Sequence, residues 1–171
     1  VAFDGLHDVV YPNEATGGCV STFSSWGSTP TLDIKPEISA PGGNIYSVSK
    51  DQKYEEMSGP PMATPYVSGC AALVLESLQK SLADGSLVKL GDTTLNTFVK
   101  NTLMNTADPI ADGSVIYSVR QQGSGMADPL SAAENRVLAT YNGVASVALK
   151  EVGNRFADES SGMAAEGGLF F

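Results

Sequence analysis

Apolar residues recur every three or four positions in two stretches of the chain, the spacing that places them on one face of an α-helix. The first stretch follows Pro61, which suits a first helical position because the N–H group there has no partner within the helix. Pro60 precedes another proline and is expected to stay outside the helical conformation. The pattern predicts a long helix that buries Val67, Cys70, Ala71, Val74, Leu75 and Leu78.

A second helix is predicted from about Thr93 to Thr106, with either Asp92 or Thr93 as its N-cap. The sequence Asp108-Pro109 ends it, because a residue before proline is pushed out of the helical region. The apolar face of this helix consists of Leu95, Phe98, Val99 and Leu103.

The rest of the pattern is made of short pieces. A third helix is expected from about Pro129 to Ala139, with Asp128 as its N-cap. Before it, residues 121–128 form a glycine-rich turn that lacks the spacing of a phosphate-binding loop. Short strands are predicted at residues 8–11, 45–48 and 144–152, a polar turn at 50–53, and extended segments and turns at 32–43.

Composition narrows the class of protein. The chain has 171 residues, about one domain, and its 42% hydrophobic content is enough for a packed core. A net charge of −9 argues against a nucleic-acid partner, which would require a basic surface. The longest apolar run is far shorter than 18 residues, so we expect no transmembrane helix. The absence of an initiator Met and of a signal-peptide core leads us to expect a piece of a longer chain.

The two cysteines, Cys19 and Cys70, are too few for a disulfide framework. We interpret both as small buried hydrophobic side chains. The chain has no CxxC motif and no histidine-rich spacing, so the sequence predicts no zinc site.

The most informative motif is Gly-Pro-Pro-Met-Ala-Thr-Pro-Tyr at residues 59–66. It resembles the nucleophile motif of subtilisin-like serine proteases, Gly-Thr-Ser-Met-Ala-Thr-Pro-His, with Pro61 at the position of the reactive serine. Tyr66 stands where the family usually has a structural histidine. The flanking residues 54–58 and 67–73 extend the resemblance in both directions.

Further motifs occur in the family order at residues 17–27, 33–47, 104–107 and 120–125. Together they resemble the cell-envelope proteinases of the lactocepin and C5a-peptidase type. This resemblance implies an α/β fold, the later part of a mostly parallel three-layer sheet domain. It also implies that residues 1–142 are the nucleophile side of a catalytic domain. Residues 143–171 would then begin a fibronectin-like β-sandwich or form a tail, and the protein would be secreted or attached to the cell wall.

The resemblance also implies what this chain does not carry. The family's aspartate and histidine motifs, and the asparagine that stabilises the oxyanion, lie upstream of Val1. His7 is the only histidine, and it lacks the family's His-Gly-Thr context, so we interpret it as an ordinary surface or turn residue. Pro61 offers neither a hydroxyl nor a backbone N–H. We therefore predict that no catalytic residue is intact and that this chain alone is inactive.

Four residues are candidates for a surviving substrate groove. By position in the family motif, Met57 and Ser58 flank the nucleophile, while Phe23 and Met62 lie on the leaving-group side. The alternative is that these residues only pack within their loops. Calcium sites are common in the family, but no acidic cluster here can be assigned to one, so we expect no cofactor.

Two hypotheses of function follow. The first is the serine-side part of a secreted or cell-surface endopeptidase, whose partners are a peptide or protein substrate and the upstream part of its own catalytic domain. The second is a non-catalytic peptide-binding or scaffolding module with the same fold. A chain holding only the later strands of a parallel sheet would expose a sheet edge, so we also expect self-association through that edge.

Overall fold

The structure is a computed structural model that describes residues 17–31, 33–50, 53–85 and 94–146, together with the backbone of residues 2–3 and 8–9. Four strands come first, followed by two helices, two more strands and two more helices. The strands are β1 (Ala2–Phe3), β2 (Asp8–Val9), β3 (Ile45–Val48), β4 (Tyr54–Met57), β5 (Ala111–Asp112) and β6 (Val115–Ile116). The helices are α1 (Pro60–Ala83), α2 (Leu95–Asn105), α3 (Val119–Gln122) and α4 (Pro129–Glu134).

Helix α1 is the centre of the packing, with α2 and α4 lying against it. Its predicted apolar face is confirmed at Cys70, Val74 and Leu78, which are all buried. The core cluster consists of Cys70, Val74, Val99, Leu103, Ala127 and Ala132. No helix within the described ranges has the length and hydrophobicity needed to cross a bilayer.

The helix ends differ from the sequence-based expectations. Helix α1 begins at Pro60, so both prolines lie in its first turn, and the expectation that Pro60 stays outside the helix is wrong. The N-cap of α2 is Thr94, whose hydroxyl accepts a hydrogen bond from the Thr97 N–H at 3.3 Å. Neither Asp92 nor Thr93 has that role. Asp128 is confirmed as the N-cap of α4, but this helix ends at Glu134 because Asn135 is already extended.

The described strands form three antiparallel ribbons, β1 with β2, β3 with β4, and β5 with β6. Strand β3 is confirmed, whereas β4, the β5–β6 ribbon and α3 were not predicted. The mixed α/β class holds. Of the strand predicted at residues 8–11, the described part is β2. Residues 147–152 of the last predicted strand lie outside the described residues. Of its described part, residues 144–146, Val144 forms an isolated bridge to Tyr141.

Met126 ties together two loops that are distant in sequence. It forms a parallel bridge with Ser39 and an antiparallel bridge with Asp108. The Ser39 N–H donates to the Gly125 carbonyl at 2.8 Å, and the Met126 N–H donates to the Asp108 carbonyl at 2.7 Å. Within the described residues, the Ser39 bridge is the one place where two segments pair in parallel.

The buried face of α2 is more polar than the apolar pattern predicted. Leu95 is 47% exposed, so its assignment to the buried face is wrong, while Asn101 and Thr102 are each only 1% exposed. The Asn101 amide donates to the Gly143 carbonyl at 2.8 Å and accepts from the Ala145 N–H at 2.9 Å. This side chain therefore holds the chain after α4 in the way that a neighbouring strand would.

We expect Asn101→Ala to lower the free energy of unfolding by about 1–2 kcal/mol, because the Gly143 carbonyl and the Ala145 N–H lose the partner of a partly buried hydrogen bond. Urea denaturation measures this change. The matched control is Asn96→Ala on the exposed side of the same helix, which should change stability by less than about 0.5 kcal/mol. Equal effects of the two substitutions would contradict the role given to Asn101.

The two cysteines differ in their surroundings. Cys70 is buried as expected, and burial is the main reason that the pKa of its thiol is raised. Cys19 is exposed, so its interpretation as a buried residue is wrong. It lies in a glycine-flanked turn, and its thiol is a hydrogen-bond neighbour of the Tyr117 hydroxyl.

Candidate functional site

The hairpin formed by β3 and β4 directly precedes α1, and the family motif lies where α1 begins. Its two strands pair from Ile45 with Met57 to Val48 with Tyr54. At the end of β4, the Gly59 N–H donates to the Gly42 carbonyl at 2.7 Å. Gly59 has φ +153° and ψ 168°, a conformation open almost only to glycine, and it caps α1. The motif glycine is thus required by the backbone.

Pro61 is the second residue of α1, and it is exposed to solvent. Neither Pro60 nor Pro61 has an N–H group, and the next one, that of Met62, already donates to the Gly59 carbonyl at 3.0 Å. Residues 60–62 therefore provide neither a hydroxyl nor a free N–H for an anion. The first turn is nevertheless regular, and the Thr64 hydroxyl donates to the Pro60 carbonyl at 3.0 Å.

Ser58 directly follows β4 and is the last hydroxyl-bearing residue before Pro61, and it forms hydrogen bonds with Asn44. The Ser58 oxygen accepts from the Asn44 N–H at 2.8 Å, and its hydroxyl donates to the Asn44 carboxamide oxygen at 3.1 Å. Asn44 has a left-handed backbone, with φ +52°. Apart from the Gly-Gly-Asn turn at residues 42–44, no sequence pattern predicted this pair. The described part of the chain contains no imidazole that could act as a base, since His7 lies outside it.

The four groove candidates fall into two places. Met57, Ser58 and Met62 lie at the junction of β4 and α1, where the two methionines are half-buried and Ser58 is exposed. Phe23 is 47% exposed and lines a cleft that also includes Gly59 and Pro60, whereas Met57, Ser58 and Met62 do not line it. Their role in substrate binding stays a prediction.

This cleft has a volume of about 590 Å³ and lies beside the start of α1, between residues 17–27 and 35–43. The two segments approach closely on both sides of it. A side chain added at Gly27 would clash with the Lys35 carbonyl, and one added at Gly43 would lie 3.3 Å from the Ser21 hydroxyl. The larger apolar residues of the lining are Val20, Phe23, Trp26, Pro36, Ile38, Pro41, Ile110 and Met126. Lys35 is the one charged residue among the described residues that line it.

Tyr66 occupies the position of the family's structural histidine. Helix α1 continues through it, and the Tyr66 hydroxyl donates to the Ala127 carbonyl at 3.4 Å. Burial, with smaller contributions from the charges of Cys70 and Asp128, raises the pKa of Tyr66. The tyrosine thus links the helix to the turn before α4.

Behind the cleft, the Glu37 carboxylate forms ion pairs with two lysine side chains. Lys35 lies 3.0 Å from its carboxylate, and Lys100 on α2 bonds the other carboxylate oxygen. Partial burial raises the pKa of Glu37, but the hydrogen bonds and charges of Lys100 and Lys35 outweigh it. Its pKa is therefore held below the usual 4.5. The cluster connects the loop at residues 35–37 to α2.

This pKa shift predicts a pH dependence of stability. Because the folded state lowers the pKa of Glu37, its stabilising contribution is present above about pH 4.5 and is lost as the pH falls through the folded-state pKa. Glu37→Gln should therefore flatten the decline of Tm on acidification, modestly, since the pair is partly exposed. Thermal unfolding from pH 6 to pH 3 measures this. The exposed Glu56→Gln is the control, and identical pH profiles for Glu37→Gln and the parent chain would refute the assignment.

Within the described residues, no three His, Cys, Asp or Glu side chains lie close enough together to hold a metal ion. At the start of α1, residues 60–62 therefore carry neither a side-chain hydroxyl nor a free backbone N–H.

The chain belongs to the subtilase family, whose sequence model matches residues 8–137. It is similar to the PII-type proteinase of Lacticaseibacillus paracasei, with 37% identity over 153 residues, 82% of this chain and 8% of that protein. It is also similar to the C5a peptidase of Streptococcus pyogenes, with 34% identity over 146 residues, 83% of this chain and 12% of that protein. The family assignment made from the motifs is confirmed, and the chain spans only about a tenth of the length of these relatives.

Among solved structures, the prenylagaramide maturation protease PagA aligns with a TM-score of 0.45 and 27% identity, over 64% of this chain and 35% of that one. The patellamide maturation protease PatA aligns with a TM-score of 0.40 and 28% identity, over 55% and 31% of the two chains. Family membership follows from the sequence matches alone.

Proposed function

We propose that this chain is the nucleophile-side part of a subtilisin-like serine endopeptidase and that its own nucleophile position is silent. The relatives named above are a proteinase and a peptidase, which supports peptide-bond hydrolysis as the ancestral reaction. The substrate class is a peptide or protein. By analogy with those relatives, we place the protein outside the cell or at its surface.

The observation that carries the proposal is Pro61 at the second position of α1. Acyl transfer by this family requires a hydroxyl to attack the carbonyl, a base to accept its proton, and donors for the oxyanion. Proline removes the hydroxyl and the backbone donor together. Removal of the serine alone lowers turnover in subtilisin by a factor of about 10⁶.

Ser58, the substitute nearest to Pro61 in the preceding sequence, is poorly suited to replace the missing serine. The Ser58 hydroxyl both accepts a hydrogen bond from Asn44 and donates one to it, and Ser58 lies three residues before Pro61, just after β4. A serine is a poor nucleophile unless a neighbouring base accepts its proton. The catalytic base of the proposed enzyme would come from upstream sequence, as would the aspartate that orients it.

The surroundings of the motif fit the same proposal. The parallel bridge between Ser39 and Met126 would belong to a larger, mostly parallel sheet completed by upstream strands. Residues 1–142 would form the later part of the catalytic domain, and residues 143–171 would begin a β-sandwich or form a tail. Phe23, Met57, Ser58 and Met62 would border the substrate groove on the nucleophile and leaving-group sides.

A chimera tests this function. Residues 8–137 would replace the matched segment of the S. pyogenes C5a peptidase, which supplies the rest of a complete protease. We expect a folded chimera without measurable peptide hydrolysis, while the unmodified host remains active under the same conditions. A folded chimera that hydrolyses peptides at the host's rate would refute the proposed inactivity.

A second function is favoured by one observation, the preservation of the helix start. The first turn of α1 is regular and Gly59 keeps its special backbone conformation, although the chemistry is lost. A non-catalytic peptide-binding or scaffolding module would retain this frame. The upstream sequence discriminates the two functions, since a module would also lack the catalytic aspartate and histidine, whereas a silenced protease would keep them.

A further inference from the structure

Two carboxamides on α2 hold the segment that follows α4. The Asn105 amide donates to the Ala139 carbonyl at 3.1 Å, and its oxygen accepts from the Ala139 N–H at 2.7 Å. One helical turn earlier, Asn101 makes the same kind of two-way contact with the Gly143 carbonyl and the Ala145 N–H. The spacing of four residues places both side chains on the same side of α2, so the segment is held at two points.

The distance between the two points requires a fold in the segment. Asn101 and Asn105 are four residues apart, which is about 6 Å along a helix axis. Residues 139–145 would span about 20 Å if they were fully extended. A tight turn takes up the difference. The Tyr141 N–H donates to the Val144 carbonyl at 2.9 Å, and the Val144 N–H donates to the Tyr141 carbonyl at 3.1 Å.

This turn is specified by its own sequence. Its two central residues are Asn142 and Gly143, with φ +49° and +80°. Asn-Gly is the preferred pair for the two-residue turn in which both central residues have a positive φ. Apart from the chain neighbours, no described atom lies within 4 Å of the position that a Cβ would occupy on Gly143. The glycine is therefore required by its backbone conformation and not by crowding.

Hydrogen bonds, more than apolar packing, hold this segment to the helices. Residues 139–144 are all exposed to solvent, whereas Asn101 and Leu103 on α2 are 1% and 5% exposed. A segment with few buried apolar contacts opens at a lower free energy than the core to which it is attached. The segment after α4 is therefore attached to the helical core without belonging to it.

We propose that residues 139–145 form a strap, a hydrogen-bonded unit that Asn101 and Asn105 hold against α2 and that opens as a whole while the helical core stays folded. Closed, the strap fixes the course of the chain from α4 to Ser146, which lines a cavity together with Glu37. Open, it leaves the chain after α4 free to turn away from α2.

The strap rests on contacts among the described residues alone and is independent of the nucleophile position. Its consequence for a β-sandwich that begins near residue 143 rests on the proposed division into domains. In that case, the closed strap would set where the sandwich starts relative to α2, and the open strap would release it. Hydrogen exchange reports on the strap whether or not a sandwich follows, so the two can fail separately.

Amide hydrogen exchange, followed residue by residue by NMR on the full chain, tests the strap. The N–H groups of Ala139, Tyr141, Val144 and Ala145 should exchange at least tenfold more slowly than in an unstructured peptide, and faster than that of Leu103 in the core. Exchange at the unprotected rate would overturn the proposal. Exchange as slow as that of Leu103 would also overturn it, because the segment would then open only with the core.

Asn105→Ala distinguishes a single unit from two independent contacts. Asn105 is exposed, so α2 is expected to tolerate its loss. Exchange should become fivefold or more faster at Ala139 and also at Ala145, although the acceptor of Ala145 on Asn101 is intact. Exchange at Leu103 should change much less. Faster exchange at Ala139 alone would overturn the proposal, because the two contacts would then be independent.

Gly143→Ala tests the same unit through its turn. The added methyl group enters open space, so the substitution acts by straining the positive φ and should speed exchange at Ala139 and Ala145 about fivefold or more. Gly113→Ala in the turn between β5 and β6 is the matched control, with φ +59° and open space around the added group. It should leave exchange in the strap unchanged. Equal acceleration by the two substitutions would show that the strap opens only with the whole fold and would overturn the proposal.

Discussion

The double substitution Pro60→Thr/Pro61→Ser is expected to raise the turnover of the C5a-peptidase chimera by a factor on the order of 10⁶. It restores a hydroxyl at the second position of α1 and a backbone N–H at each of the first two positions. The hydroxyl can attack the substrate once the host supplies a base, and the restored N–H at position 61 can stabilise the oxyanion. Hydrolysis of a chromogenic peptide measures the gain.

Two control variants separate the contributions of the hydroxyl and the N–H. Pro61→Ala restores the N–H without a hydroxyl and should leave turnover within about tenfold of the unsubstituted chimera, because the attacking group is still missing. Adding Ser58→Ala to the active double variant should change turnover little. The Ser58 hydroxyl is hydrogen-bonded to Asn44, and we expect it to take no part in the reaction. If Pro61→Ala were as active as the Pro60→Thr/Pro61→Ser variant, the role given to the hydroxyl would be wrong.

The second large effect is expected at Gly125, where the turn before α4 packs against the backbone of Asp108. Gly125 has φ +127°, and a Cβ there would lie 2.2 Å from the Asp108 carbonyl oxygen. Gly125→Ala should therefore lower the free energy of unfolding by roughly 3 kcal/mol or more, because backbone strain and overpacking act together. Urea or thermal denaturation of the chain measures the loss.

The matched control is Gly113→Ala in the turn between β5 and β6. Gly113 also has a positive φ, +59°, but no atom lies within 4 Å of the position a Cβ would occupy. This substitution should cost only about 1 kcal/mol, the strain of the left-handed backbone alone. If both alanine substitutions lowered the free energy of unfolding by similar amounts, Asp108 would have to move aside, and the contact between Gly125 and Asp108 would not be tightly packed.

Local patterns predicted the long helix well and its surroundings less well. The apolar spacing of α1 is a property of the sequence itself, and it identified Cys70, Val74 and Leu78 as buried. Strand β4 reads Tyr-Glu-Glu-Met, which lacks the alternation of a half-buried strand, and it forms because β3 lies beside it. Asn101 was missed because its burial depends on two backbone groups more than 40 residues away.

The candidate site divides in the same way. The proline at the motif's nucleophile position could be recognised because the motif around Pro61 is continuous in sequence. The pairing of Ser58 with Asn44 was not, since it requires the two strands of the hairpin to come together. The cleft could not be predicted from the sequence either, because its two walls are separate segments that only the fold brings together.

Active-site labelling with a fluorophosphonate probe tests the central claim most directly. The probe would be applied to this chain and to its Pro60→Thr/Pro61→Ser variant, each carried in the chimera, with labelled residues located by mass spectrometry. We predict labelling at position 61 of the variant and none in the chain as it stands. Labelling of any serine in the unsubstituted chain, Ser58 included, would mean that another hydroxyl performs the chemistry and that Pro61 does not silence it.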